Sequence, residues 1–201
     1  ANVLAVQNLF SRNRGRSLNA NAVRRLTPET VGELLPDANL ALAVQSTLLA
    51  MRGQEAAIDL LEREACAQVR GRPAYRHLLS TSGIGQVLGL TILLETGPIE
   101  RFARVGNYAS YCRLVGSERL SNGKRKGRGN TKSGNKYLAW AYLEAANFAV
   151  RYNPAIKRYD QRKRAKTNGV VAIKTVAHKL ARACYYMLSE GTDFDVDRAF
   201  A

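Results

Sequence analysis

The sequence predicts a mainly α protein: a long, coiled-coil-like helical arm, then a helical domain with a helix-hairpin-helix and a basic, glycine-rich loop. Three observations lead there. From Asp37 to Val69 there is no proline and a single glycine, and apolar or small residues recur at a three–four spacing. Pro28 and Pro154 follow Thr27 and Asn153, the cap-then-proline order that opens helices. No section is rich in strand pattern, and a short hairpin around residues 115–131 is the one place where β-structure is expected.

Residues 1–36 read as an N-terminal helical segment. An apolar pattern is already running at Val3, Leu4, Val6, Leu9 and Phe10, so the chain is expected to continue from an upstream domain. Thr27-Pro28-Glu29-Thr30 starts a short helix that closes near Leu34-Leu35, before Pro36. Residues 37–72 form the arm, with Val44, Thr47, Leu48, Met51, Ile58, Leu61, Ala65 and Val69 on its seam. Its length suits a coiled-coil arm or a hairpin; a core helix of one compact domain is the alternative. Gly71-Arg72-Pro73 ends it and marks a domain boundary.

Residues 73–191 are read as the second domain. Tyr75 to Gly97 carries a short helix, a Gly83-Ile84-Gly85 turn and a second apolar helix, the pattern of a helix-hairpin-helix. Its glycines allow a tight turn, and the N–H groups that open the second helix suit a backbone phosphate. Pro98 to Tyr111 predicts another short helix, with Phe102, Tyr108 and Tyr111 in a core or an interface. The next helix is expected from about Lys136 to Tyr152, with Trp140 and Phe148 in the core rather than stacked on bases. Asn153-Pro154 restarts a helix rich in Lys and Arg, and Asn168-Gly169 turns the chain. The last strong helix, about Val170 to Ser189, places Lys174, His178 and Arg182 on one stripe and ends at Gly191. Residues 192–201 are expected to be a loosely held tail.

The 201 residues carry 31 Lys and Arg against 16 Asp and Glu, a net charge of +15 with a pI near 10.2. That balance points to nucleic acid first and to anionic membrane second. No apolar run approaches the ~18 residues of a membrane span, and cytoplasmic, nucleoid-associated residence is expected. Cys66, Cys112 and Cys184 lack CxxC spacing and read as reduced, buried thiols. His77 and His178 are too separated to suggest a metal site, and no metal ligands are assigned in this chain.

Chemistry is concentrated in residues 116–136. Seven of these positions are Lys or Arg, five are Gly, and only Glu118 is acidic. Glycines let a backbone approach a polyanion while Lys124, Arg125, Lys126, Arg128, Lys132 and Lys136 neutralise phosphates. Hydroxyls lie inside this positive field at Ser117, Ser121, Thr131 and Ser133, where a nucleophile of phosphoryl transfer would be placed. Taken alone, the loop reads first as a solvated grip on nucleic acid without chemistry. Gly83, Gly85, Arg162, Lys163, Arg164, Lys174, His178 and Arg182 complete the expected nucleic-acid contacts.

In order along the chain, the motifs Leu78–Gly97, Arg101-Phe102, Ser121-Asn122-Gly123-Lys124 with Gly127, Thr131–Leu138 and His178–Arg182 resemble one family. It is the insertion sequence 110 family of Piv/MooV-type transposases, in its C-terminal domain, over roughly residues 75–190. Residues 37–70 resemble the coiled-coil arm that precedes that domain.

The resemblance implies a DNA recombinase with a serine nucleophile that forms a 5′-phosphoserine link. It also implies a separate RuvC-like domain whose four acidic residues bind Mg²⁺, a bridge RNA, duplex DNA as substrate, and assembly as a homodimer or tetramer. By the same resemblance the nucleophile falls on Ser121, with Ser117 and Ser133 as alternatives. Asn122 departs from the Ser-Gly pattern frequent in the family. The chain is thus expected to lack the first domain and to be inactive by itself. A non-catalytic DNA- or RNA-binding module is the competing reading; a basic, ribosome-associated protein is a third.

Overall fold

The computed structural model describes residues 2–116, 118–128 and 133–200, and for residues 118–120, 125 and 128 the backbone alone. The chain is mainly α, as predicted: eleven α-helices and one two-stranded sheet are described. They divide into two compact units, Ala1–Glu64 and Ala65–Ala201.

The first unit holds α1 (Asn2–Arg14), α2 (Ala20–Arg25), α3 (Pro28–Leu34) and the larger part of α4 (Ala38–Val69). The Thr27 signal works as read. Its hydroxyl accepts the Thr30 amide at 3.3 Å while the Thr30 hydroxyl accepts the Thr27 amide at 2.8 Å, a reciprocal cap. Asp37 opens α4 by accepting from the Asn39 and Leu40 amides at 2.8 and 3.1 Å. Val6, Phe10, Val23, Val31, Val44, Leu48 and Met51 form this unit's core.

Helix α4 is one continuous helix of 32 residues, about 48 Å long. Its apolar seam is used in three ways. Val44, Leu48 and Met51 serve the first unit's core, whereas Cys66 and Val69 pack with Tyr75 and Leu90 in the second unit. Between them, residues 52–64 include no buried side chain, and Ile58, Leu60 and Leu61 are exposed.

The second unit adds α5 (Pro73–Leu79), α6 (Gln86–Thr96), a 3-10 turn (Ile99–Arg101), α7 (Val105–Tyr111), β1 (Glu118–Ser121) and β2 (Lys124–Arg128). Four helices follow: α8 (Lys136–Tyr152), α9 (Pro154–Lys166), α10 (Gly169–Glu190) and α11 (Val196–Phe200). Helix α10 packs against α5, α7, α8, α9 and α11, and α8 against α6 and α9. The face of α8 with Ala141, Ala145, Ala146 and Ala149 is fully buried, which lets neighbouring backbones come close. Thr96, Tyr108 and Tyr142 run a buried hydroxyl chain with O···O distances of 2.8 and 2.7 Å. Burial pushes both tyrosine phenols well up, so this chain stays neutral. All three cysteines are free and buried, as expected.

Three expectations are corrected here. The segment Pro98–Tyr111 is not one helix: Phe102 is extended after the 3-10 turn, and its ring packs 5.1 Å from Tyr108 and 5.2 Å from Tyr111. Burying that ring breaks the helical run. Trp140 and Phe148 are not core residues; they are 46% and 42% exposed. The packed side of α8 is filled by Leu138, Tyr142 and the alanines, and Trp140 and Phe148 fall outside it. Finally, within the expected loose tail, residues 192–201, the described residues 192–200 are held in place. Phe200 is buried, Arg198 forms a two-pronged pair with Glu190, and Lys179 donates to the Ala199 carbonyl at 2.8 Å.

Candidate nucleic-acid interface

Charge separates sharply between the units. Residues 1–64 carry 7 basic and 7 acidic side chains, so that unit is neutral. Residues 65–201 carry 24 basic against 9 acidic, so the whole excess of +15 sits there. Three features of that unit could meet a polyanion.

The first is the turn between α5 and α6. Gly83 has φ +90 and lies directly on α8: a Cβ there would run into the Ala145 carbonyl oxygen and the Ala149 nitrogen. Only glycine fits. Gly85 is different. It has ordinary extended backbone, caps α6 without any side-chain hydrogen bond, and faces open space. Of the two predicted contacts, Gly83 fixes the turn and Gly85 leaves the first turn of α6 accessible.

The second feature is the basic hairpin. Ser121 pairs with Lys124 across a two-residue turn in which Asn122 and Gly123 have φ of 52 and 69. Both left-handed positions identify the Asn-Gly turn that suits tight hairpins. The Asn122 departure therefore has a local reason: asparagine tolerates that conformation as few other residues do. Ser121 stands exposed at the tip with Lys124, and Lys126 is exposed where the ladder slips by one residue. Arg125 lies opposite Leu120 and Arg128 opposite Glu118 in the backbone register. Ser117, Thr131 and Lys132 lie outside the described residues; Ser133 is exposed beside Gly134.

The loop returns to the unit at a rigid anchor. Gly134 has φ +95 against the Tyr111 carbonyl, and the Arg113 guanidinium donates to the Gly134 carbonyl at 3.0 and 2.7 Å. Asn135 caps α8 by accepting from the Tyr137 and Leu138 amides at 2.8 and 3.0 Å, and its amide group donates to Glu95. Hydrogen bonds from Asn135 and then Arg101 hold the Tyr111 phenol below its ordinary range. The Arg101 guanidinium sits 4.6 and 4.8 Å over the Phe102 and Tyr111 rings. Tyr111 was read from the sequence only as a core or interface aromatic, and Glu95 and Asn135 were not singled out, although Gly134-Asn135 before a helix is a readable cap.

Asn135→Ala is expected to cost about 1 kcal/mol, the usual loss for an N-cap. It should also move the Tyr111 phenol back up, because the largest lowering cause is gone. Thermal melting and an ultraviolet tyrosine titration against Tyr111→Phe check both; an unmoved titration would refute the assigned bond.

The third feature joins α9 and α10. Around the Tyr159 ring lie Lys179 at 4.9 Å and Arg162 and Lys163 at 6.0 Å each. Burial and then Arg182, Lys163 and Arg162 push the Lys179 ammonium down. His178 is also lowered, by burial first and then by Arg182 and Lys179. Arg162, Lys163, Lys179 and Arg182 thus form one positive field that repels its own charge, drives His178 toward its neutral form and favours an anion. Lys179 was missed in the sequence because its apolar neighbours on α10 hide it. Lys174 lies one turn before His178, and Lys136 sits 4.9 Å over the Tyr137 ring. Arg164 differs from the rest: its guanidinium holds the buried Asp160 carboxylate at 3.1 and 3.0 Å.

Fold, charge and hairpin make this part of the chain a basic, mainly helical unit whose surface suits a polyanion. Residues 75–161 match the model of the transposase family IS116/IS110/IS902. The chain is 28% identical over 145 residues to a probable family 20 transposase of Pseudomonas aeruginosa, covering 69% of the chain and 42% of that protein. To the insertion element IS110 43.6 kDa protein of Streptomyces coelicolor it is 25% identical over 154 residues, covering 76% of the chain and 37% of that protein. It thus spans about two-fifths of the length of these curated relatives. Among the described residues no helix is long and apolar enough to cross a membrane.

Proposed function

We propose that this chain is the arm and C-terminal domain of a DNA transposase, with residues 37–72 as arm, residues 73–191 as transposase domain and Ser121 as nucleophile. The observation that carries the reading is the place of Ser121. It stands exposed beside Lys124 at the tip of a tight hairpin, on the unit that holds all of the excess positive charge.

In this reading the Ser121 oxygen attacks a backbone phosphorus. A Ser–O–P bond forms, the P–O3′ bond breaks, the serine loses its proton and the departing 3′ oxygen gains one. The 5′-phosphoserine keeps the phosphodiester energy for rejoining. Lys124 and Lys126 offset charge that develops on the phosphate. The α5–α6 turn and the Arg162–Lys163–Lys179–Arg182 field hold flanking DNA backbone or a bridge RNA. Among the described residues no three His, Cys, Asp or Glu come together. By the resemblance, Mg²⁺ would be held by a further, RuvC-like domain, in a homodimer or tetramer.

The test is covalent trapping in a full-length transposase that contains this region, with bridge RNA and element-junction DNA. A denaturation-resistant adduct is expected, lost with Ser121→Ala and kept with Ser117→Ala or Ser133→Ala. DNA affinity should survive all three changes. Loss with one of the other serines moves the nucleophile there. Binding without any adduct makes the region a non-catalytic nucleic-acid module.

A further inference from the structure

Helix α8 presents large rings to solvent on the side next to its buried alanine face. Tyr137, Trp140, Phe148 and Tyr152 fall within about 120° of one another around the helix, and all four are exposed. At its C-terminal end Phe148 and Tyr152 lie nearly parallel, with centroids 6.5 Å apart and an interplanar angle of 6°. They are 42% and 70% exposed. Together with Gly83, Ile84, Gly85, Gln86 and Val87 of the α5–α6 turn they line an open groove of about 540 Å³.

The surroundings specify what could occupy it. Two parallel rings offer flat apolar faces, which suit a flat partner. The Arg151 guanidinium lies 6.0 Å from the Tyr152 ring and the Lys136 ammonium 4.9 Å from the Tyr137 ring, so cations attend both ends of the stripe. Glu144 is the one acid at these helical positions. The unit beneath carries 24 basic against 9 acidic side chains. A flat apolar ring tied to a phosphate matches this chemistry. Exposed aromatics interleaved with cations are how proteins hold unpaired bases.

We propose that Phe148 and Tyr152, with the α5–α6 turn as the opposite wall, form a stacking site for an unpaired nucleobase. The site deepens the nucleic-acid reading given above and rests on it. It would let this unit favour nucleic acid that is gapped, bulged or opened over intact duplex. Backbone contacts alone do not make that distinction.

Anisotropy titrations of the 201-residue chain test it, using a blunt DNA duplex and the same duplex with a single-stranded gap. The chain is expected to bind the gapped probe more tightly. Phe148→Ala/Tyr152→Ala should weaken gapped-probe binding about five- to hundred-fold for each stacked base lost and leave blunt-duplex affinity unchanged. The ring-preserving pair Phe148→Tyr/Tyr152→Phe should keep the preference. Tyr152→Ala alone, at the more exposed ring, provides a second variant if the double change lowers melting.

Equal affinity of the original chain for both probes would overturn the site while leaving the proposed function standing. Equal losses on both probes, or no loss on the gapped one, would also overturn it. A changed sedimentation coefficient with unchanged gapped-probe binding would assign the face to a second copy of the chain and overturn it too. Failure of the original chain to bind either probe would remove the nucleic-acid reading itself.

Discussion

Gly83→Ala is expected to lower the stability of the second unit by about 3 kcal/mol, from left-handed strain added to overpacking against backbone. Its melting midpoint should fall by about 10 °C. The added methyl has no flexible neighbour to displace, because it meets the Ala145 carbonyl and the Ala149 nitrogen inside α8. Gly85→Ala is the internal control. It needs no unusual backbone and enters open space, so stability should stay within about 0.5 kcal/mol. Equal effects at the two glycines would show that the turn does not pack on α8 as described. If Gly85→Ala instead weakens DNA binding without lowering the melt, the accessible start of α6 is itself a contact.

The second large effect is expected at Arg164. A basic residue on a basic helix reads as a phosphate contact, yet this guanidinium spans from the Asp160 carboxylate to a position above Gly169, where a Cβ would meet it at 3.0 Å. The Asp160 side chain is 3% exposed, and its second oxygen has no hydrogen-bond partner. Arg164→Ala would strand a buried carboxylate, at a cost of about 2–3 kcal/mol; the half-exposed arginine lets some water reach the site and keeps the loss below that of a sealed pair. Asp160→Ala/Arg164→Ala should recover part of the loss, because the uncompensated charge goes with it. Arg162→Ala should behave oppositely. Its melt should be unchanged, and the slope of log affinity against log salt should fall by about 0.9 for one phosphate contact. An unchanged melt for Arg164→Ala, with a salt slope like that of Arg162→Ala, would return Arg164 to the phosphate contacts.

Most of the helical plan was legible because its signals are local. Thr27-Pro28, Asn153-Pro154, Asn168-Gly169 and Gly191 act within a turn of themselves, and the described helices begin or end where those residues stand. The Asn122-Gly123 turn was likewise readable as a hairpin. What stayed hidden depends on partners distant in sequence. Phe148 and Trp140 look like core residues until the alanines beside them are seen to admit whole helices. Arg164 and Arg162 look alike until Asp160 is found buried under one of them. Lys179 and the Glu95–Asn135 bond, 40 residues apart, leave no local trace. The candidate site was legible as chemistry, a hydroxyl within a basic loop, and illegible as geometry, because its anchor comes from α6, the 3-10 turn, α7 and α8.

The partition of charge bears on how copies of the chain could gather. A side chain set of +15 on one unit makes like surfaces repel whenever they come within a Debye length, about 8 Å at physiological ionic strength. The neutral unit carries no such penalty. Self-association through residues 1–64 is therefore electrostatically permitted in the absence of cargo, whereas bringing two basic units together needs a polyanion between them to cancel the field. Close approach of two basic units is in this way made conditional on a polyanion between them, and raising the salt relaxes that condition.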